Sequence, residues 1–578
     1  MKIANSIKYG LVIAGLGLGL TSCDDFLNRP TDDSYTSDNF YQTAEQCYQG
    51  VNYLYNSPWY DFQRGFIKVG EIMSGLRYEG SSPYLTFTVN GTDENLVNMS
   101  YSLWAVIGHA NTVYENLAKS PAPADVRAYC QGECLTWKAM AYFYLVRSFG
   151  DVPIIHSNSA ELEGGTYNSK YKVRRADVYE YIVMTLEKAI ELLPEKAAQP
   201  GRIDKYCAEG LLAKVYLTRA GLSGTRNADD LAKAASYAKD VIDNSGRQLM
   251  PEYSDIFRLT NNVSDESLIA WRWKAGRDLW TQQNTLQSDL APVGFDEFGD
   301  CWGGYGGPSV ALQDAFGVDA LEDPALRRDL DKRRKATMML PGDKYEYFWT
   351  DKGGFDPLNF CYDADYGKGG PGEWQSPTGA WNVKHLYGNT FDHVSALGVT
   401  PDNMANELAT HILRLADVYL VFAEAKMGTA NSTSDADAVA AYNAVRGRAL
   451  TSYDPVSSIT YDDIWKERLL EFAGEGDRWY DYVRRSYWDL QFCINELTTQ
   501  RRNTYYNINN LYKAWYDSER KSWAVEAGEE APRYDTDTPV PNVTAQSFTL
   551  PFPSADVVFN PNLLKDPIEC DVRTEYAY

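Results

Sequence analysis

The hexapeptide Leu212-Ala213-Lys214-Val215-Tyr216-Leu217 recurs as Leu415-Ala416-Asp417-Val418-Tyr419-Leu420, with one mismatch and a constant offset of 203 residues. Each copy lies in an amphipathic helical pattern and is followed by a second helical pattern carrying a Tyr, Tyr237 in the first case and Tyr442 in the second. Small residues (Ala213, Ala235, Ala416, Ala441) let paired helices approach and the Tyr rings fill the remaining space, as in tetratricopeptide pairs. The same periodicity runs through residues 128–149, where Leu135, Ala139, Tyr142, Val146 and Phe149 fall on one face and Gly150 stops the helix before Pro153. Residues 176–193 repeat it, and 208–220 and 228–243 form a pair joined by the turn Gly221-Leu222-Ser223-Gly224. The expected fold is therefore mainly α, a scaffold of tetratricopeptide-like helix pairs over about 40–250 and 405–498. Between and after these stretches, about 250–405 and 498–578, Gly, Pro, Trp and Tyr become frequent and helical spacing fades, so two loop-rich, mixed regions are expected there. Function belongs in such loops, held up by the helical frame.

The formal charge is −24 over 578 residues, which excludes a general binder of phosphate backbones and gives no nucleic-acid partner. With 42 Tyr and 15 Trp, the chain is too aromatic for disorder, and some rings are expected to face outward. Residues 1–22 read as a secretory signal: Lys2 and Lys8 precede an apolar run from Leu11 to Leu20 that is too short to span a bilayer. Thr21-Ser22-Cys23 resembles a lipobox, which makes Cys23 an acylated N-terminus and the mature chain, residues 23–578, an anchored protein. Cleavage removes Lys2 and Lys8 and takes the charge from −24 to −26. Asp24 and Asp25 resemble the acidic pair that sends lipoproteins to the cell surface in the Bacteroidota. Eight cysteines remain, too few for a disulfide framework in so long a chain; Cys130 and Cys134 share a helix face but have no further ligands nearby and read as buried thiols.

Four stretches, in order, resemble the SusD/RagB family of outer-membrane nutrient-binding lipoproteins. They are Cys23-Asp24-Asp25-Phe26-Leu27-Asn28-Arg29-Pro30; the helix ending Phe149-Gly150-Asp151-Val152-Pro153; the block from Leu413-Arg414-Leu415 through Asn443-Ala444-Val445-Arg446-Gly447-Arg448 and Glu467-Arg468 to Gly474-Glu475-Gly476-Asp477-Arg478-Trp479; and Leu550-Pro551-Phe552-Pro553 with Asn560-Pro561. The resemblance implies a SusD-like fold of four tetratricopeptide-like units under a loop-rich portion. It also implies capture of a nutrient, usually an oligosaccharide, and its delivery to a SusC-like TonB-dependent barrel in the outer membrane. Some family members take peptides instead, so that alternative stays open.

The charged motif block reads as structural. Glu467, Arg468, Glu471, Arg478, Asp481 and Arg484 fall mostly at three- and four-residue steps, so they can pair along a helix or with Arg446 and Arg448. Catalytic motifs are missing: five His, no HExxH, no Walker A loop and no nucleophile elbow. The chain is expected to be no enzyme, although two carboxylates suffice for a glycoside hydrolase and that alternative has no sequence test. Asp363-Ala364-Asp365-Tyr366-Gly367 up to Glu373 resembles a calcium loop, but Lys368 occupies the Gly position and Glu373 falls one residue early. No cofactor is expected; calcium is the one candidate.

Sugars present apolar C–H faces to flat rings and hydroxyls to polar side chains, so a binder needs exposed Trp or Tyr beside polar groups. Trp302 and Tyr305, set among Gly303, Gly304, Gly306 and Gly307, are the first choice. Trp280, near Gln282, Gln283 and Asn284, offers a second platform, and Trp374 and Trp381 lie in other Gly/Pro-rich loops. The resemblance adds a loop between early helices, Arg77 to Asn95 here, with Arg77, Tyr78 and Tyr84. Trp104, Trp137, Trp465 and Trp479, on helical patterns, are assigned to the core.

Overall fold

A computed structural model describes residues 40–275, 280–296, 301–366, 370–401, 404–506, 508–523, 533–534 and 541–578, with the side chains of Trp280, Arg533 and Tyr534 outside that description. The signal segment 1–22 and Cys23 also lie outside the described residues. The frame is a series of helices, each packed on the next: α1 (Ala44–Asn52), α2 (Glu94–Lys119), α3 (Ala124–Phe149), α4 (Arg175–Leu192), α5 (Lys205–Arg219), α6 (Ala228–Asn244), α7 (Leu415–Met427) and α8 (Ala436–Ala449). Three more helices, α9 (Tyr461–Phe472), α10 (Arg478–Ser486) and α11 (Leu490–Thr499), complete it. Mainly α with few and short strands, the chain has the architecture the periodicity implied. No described helix is long and apolar enough to cross a membrane.

Helix boundaries follow local chemistry. The Asp93 carboxylate caps α2 by accepting the Leu96 amide, Asp204 caps α5 through the Cys207 amide, and Gly150 ends α3 with φ +75°, a conformation that suits glycine. In the first repeat pair the rings of Tyr216 and Tyr237 are nearly parallel, with centroids 6.0 Å apart.

The loop-rich middle is tied to the frame by an antiparallel strand pair, β2 (Ser267–Trp271) with β4 (Thr410–Arg414), and β4 runs straight into α7. A shorter pair joins β1 (Arg77–Tyr78) to β3 (Gly307–Pro308). The C-terminal stretch returns to the first helices: the Leu550 amide donates to the Ser148 carbonyl, the Ile568 amide to that of Lys172, and Tyr578 lies against Thr185 on α4.

The charged motif block is buried and paired. Arg446 meets Glu467 at 2.6 Å, Arg448 meets Glu471 at 2.5 Å and Arg484 meets Asp481 at 2.8 Å. Arg468 reaches across helices, to Asp417 at 2.6 Å, Asp481 at 3.0 Å and Asp477 at 3.1 Å. The eight described cysteines form no disulfide; Cys130 and Cys134 are buried, and burial pushes both thiols up.

Candidate functional site

A π-helical segment, Phe66–Met73, leads to the site and is fixed by the motif turn Gly474-Glu475-Gly476-Asp477. Glu71 on this segment accepts the amides of Gly476 at 2.7 Å and Gly474 at 3.1 Å, and burial raises its carboxyl to about 7. Gly70 lies so close that an added Cβ would sit 2.4 Å from the Gly476 Cα. The segment then delivers β1, whose Arg77 and Tyr78 pair with Pro308 and Gly307 and so set the end of the aromatic glycine loop.

That loop needs glycine for close approach. None of Gly303, Gly304, Gly306 and Gly307 has a positive φ. A Cβ on Gly303 would stand 2.3 Å from the Asp289 carbonyl oxygen, one on Gly304 2.8 Å from the Pro292 Cα, and one on Gly307 2.2 Å from the Ala380 carbonyl oxygen. The backbone is held from below: the Trp302 amide donates to the Ser288 carbonyl at 3.0 Å, the Trp381 indole to the Gly304 carbonyl at 3.2 Å and Arg77 Nη2 to the Gly303 carbonyl at 3.4 Å. With the backbone sunk among its neighbours, the two large side chains have only the outer face to occupy. Trp302 is 45% exposed and Tyr305 62%.

These rings stand at an open cavity of about 430 Å³ whose other walls include Arg64, Lys68, Arg77, Glu79, Asn95 and Asp289. Asp289 Oδ1 accepts the Trp302 indole N–H at 2.9 Å, orienting the ring, while its Oδ2 has no hydrogen-bond partner among the described residues. Burial raises the Asp289 carboxyl, with Arg64 opposing the shift. Lys68 donates to Glu79. Chemically the arrangement offers flat rings for an apolar sugar face, with polar and charged side chains beside them for its hydroxyls.

Four of the sequence candidates are corrected. Trp374 and Trp381 are not platforms: they stack on each other, centroids 4.1 Å apart and planes 8° apart, in the core beneath the glycine loop. Tyr84 is buried because its hydroxyl donates to the capping carboxylate Asp93 at 2.6 Å, and Tyr78 is buried beside β3 with its ring near Tyr505. Arg77 does line the cavity, though only 5% exposed. Trp280 falls in a short turn, Trp280–Gln282, and its side chain lies outside the described residues. Trp137, Trp465 and Trp479 are core, but Trp104 is half-buried and lines a separate cavity of about 370 Å³ with Tyr101, Tyr167 and Phe559, because α2 leaves that face open. Arg64, Lys68 and Asp289 were not foreseen; their spacing carries no motif, and only the fold brings them to Trp302.

The calcium candidate is incompletely described. Asp363 Oδ1 accepts the amides of Asp365 and Tyr366, an ordinary Asx turn, and residues 367–369 lie outside the described residues. Among the described residues no three His, Cys, Asp or Glu converge as metal ligands.

Comparison with known proteins agrees with this fold. Residues 296–568 match a model described as the SusD family, and residues 25–217 one described as "Starch-binding associating with outer membrane". A SusD-like protein of Bacteroides ovatus is 32% identical over 96% of this chain and 97% of its own length. A crystal structure determined "with xylogluco-oligosaccharide" is 29% identical, with a TM-score of 0.75 over 91% of this chain and 99% of that one. Surface glycan-binding protein A from Bacteroides thetaiotaomicron, solved in complex with laminarihexaose, shares the fold at 19% identity, with a TM-score of 0.61 over 89% of this chain and 97% of that one.

Proposed function

The chain belongs to the SusD family, and on that footing we propose that it captures an oligosaccharide at the outer-membrane surface and passes it unaltered to a SusC-like TonB-dependent transporter. The observation that carries this reading is the pair of exposed rings, Trp302 and Tyr305, on a clamped glycine loop at the mouth of a cavity of about 430 Å³. That volume is in the range of small-ligand sites, roughly 300–1,000 Å³. A pyranose stacked on Trp302 has the polar side chains of the same cavity, Asn95 and Lys68 among them, for its hydroxyls. The xylogluco-oligosaccharide complex of a 29% identical neighbour supports a glycan as the ligand class.

Capture without turnover fits the two carboxylates of the cavity. Glu79 is engaged by Lys68, and Asp289 holds the Trp302 indole. The anchor is Cys23, and the Asp24-Asp25 pair directs the protein to the cell surface; the outer-membrane description of the family matched over residues 25–217 supports this placement. No cofactor is needed for stacking and hydrogen bonding.

Titration calorimetry against a panel of neutral and acidic oligosaccharides tests the proposal. At least one is expected to bind, and Trp302→Ala to weaken it by roughly 1–3 kcal/mol, the scale of losing a ring contact. No binder in the panel, or full affinity in the variant, would contradict it.

A further inference from the structure

Glu71 is 6% exposed and does not line the cavity beside Trp302. Both of its oxygens serve one contact: Oε1 accepts the Gly476 amide at 2.7 Å and Oε2 the Gly474 amide at 3.1 Å. That contact fastens the motif turn to the π-helical segment Phe66–Met73, at the point where Gly70 packs against Gly476 too closely for a larger residue. A π-helical run is rare, and eight residues of it need support from outside the segment. The same segment builds the binding site. Ile67 and Lys68 line the cavity. A few residues on, the Leu76 carbonyl accepts the Ser309 amide at 2.9 Å, the Gly75 carbonyl accepts the Ser309 hydroxyl at 2.6 Å, and Arg77 pairs with Pro308. The position of the segment is thus passed both to the cavity wall and to the glycine loop that carries Trp302.

Only the ionised carboxylate serves both amides well, because it accepts at each oxygen and donates nothing. A proton on either oxygen sets an O–H against an N–H and weakens one of the two bonds, and the longer, to Gly474, is the weaker to begin with. The charged groups facing Glu71 come from several segments. Lys384 favours its anion, Glu475 of the turn opposes it, and Arg77 on β1 has Glu71 among its anionic neighbours, with Glu79 and Asp289. Glu475 is itself held by Lys384 and Arg414, each at 2.7 Å. His385 Nε2 lies 2.6 Å from the Gly474 carbonyl, and burial lowers this imidazole to about 4, so it is neutral near pH 7. For Glu71 burial outweighs the cations and raises the carboxyl to about 7.

We infer that Glu71 is a positioning residue of the site: its anion holds the cavity wall and the Trp302 loop in the binding arrangement, and protonation relaxes that arrangement. This rests on the reading that a glycan binds at Trp302 and adds to it a dependence on pH. Glycan binding and ionisation of Glu71 favour each other by the same factor. The ligand selects the anion, so affinity rises with pH through the titration of this carboxyl and levels off above it.

The test is calorimetry from pH 6 to pH 8 on the wild-type protein and Glu71→Gln. The probe is a xylogluco-oligosaccharide, or whichever member of the panel binds most tightly, and it carries no group that titrates in this range. Wild-type affinity is expected to fall by at least about threefold from pH 8 to pH 6, within the tenfold per pH unit that one proton allows. At pH 7, titrations in buffers of different ionisation enthalpy should show a fraction of a proton released for each sugar bound. Glu71→Gln should bind more weakly than wild type at pH 8, with neither pH dependence nor proton release. A flat wild-type profile without proton exchange overturns the inference and leaves the glycan reading standing. So does a pH dependence that survives in Glu71→Gln, as titration of Asp289 in the cavity would produce. Should Glu71→Gln fail to fold, Asp289→Asn decides: the wild-type pH dependence persists in it if Glu71 is responsible, and its loss there overturns the inference. Absence of binding by every sugar overturns the glycan reading as well.

Discussion

Lys214 and Asp417 occupy equivalent positions in the two copies of the repeated hexapeptide and meet as a buried ion pair, Nζ 2.6 Å from Oδ2. Theirs is the single position at which the copies differ. Because α5 and α7 pack face to face about this point, identical residues would bury two like charges against each other; the mismatch turns that repulsion into a pair. Lys214 also reaches Asp477 of the motif turn at 2.7 Å, and Arg468 binds both aspartates. The helix frame and the turn that supports the site thus share one charge cluster.

Removing one member of a buried network leaves the others uncompensated. Asp417→Asn, which strips a partner from both Lys214 and Arg468, is expected to cost about 3–5 kcal/mol in urea unfolding, and Lys214→Met less, because Arg468 still holds Asp417. A loss under about 1 kcal/mol for Asp417→Asn would show the pair to be incidental.

Acid should weaken the frame. The cations around Asp417 and Glu471 depress each carboxyl to about 2 in the folded protein, below the unfolded values near 3.9 and 4.3. A folded value below the unfolded one means stability that is complete above about pH 5 and lost as pH falls toward 2, on the order of 2–3 kcal/mol for each group. Unfolding measured between pH 7 and pH 3 should show this decline, with a shallower slope in Asp417→Asn. Equal slopes in the variant and the wild type would contradict the assignment.

Two tryptophans near the same loop should behave oppositely. Trp381→Ala removes a fully buried ring and its bond to the Gly304 carbonyl, and is expected to cost about 3–5 kcal/mol of stability. Trp302→Ala, half exposed, should leave the unfolding midpoint nearly unchanged while weakening glycan binding. The check is to run thermal unfolding and calorimetry on both variants; a Trp302→Ala protein that loses stability like Trp381→Ala would mark Trp302 as structural.

The glycine loop has no room for a methyl group. Gly307→Ala would place a Cβ 2.2 Å from the Ala380 carbonyl oxygen, so the loop must move, at a cost of roughly 1–3 kcal/mol in stability and a measurable fall in affinity. Unchanged affinity in this variant would mean that loop position does not set the platform.

Much of the frame was legible because helices advertise their buried faces by spacing: residues 128–149, 176–193, 208–220 and 228–243 each correspond to an observed helix, and Gly150 marks a real end. Trp302 and Tyr305 were legible because a run of glycines offers no side chains to cover them. The rest depended on packing between distant segments. Trp374 and Trp381 sit in glycine- and proline-rich loops much like that of Trp302, yet they cover each other, and no local pattern tells a ring that finds a partner from one that does not. Tyr84 is buried because it bonds to a helix cap nine residues on, Asp93. Arg64 and Asp289 lie 225 positions apart in sequence and share a cavity only once β1 and β3 are paired.

The most direct measurement is a crystal structure of the protein with its tightest-binding oligosaccharide. The account predicts a sugar ring stacked on Trp302, with Tyr305 beside it and a hydroxyl within hydrogen-bond distance of a polar wall residue of the same cavity, Arg64, Lys68 or Asn95. A glycan seated elsewhere, such as the cavity lined by Tyr101, Trp104 and Phe559, with Trp302 untouched, would contradict it.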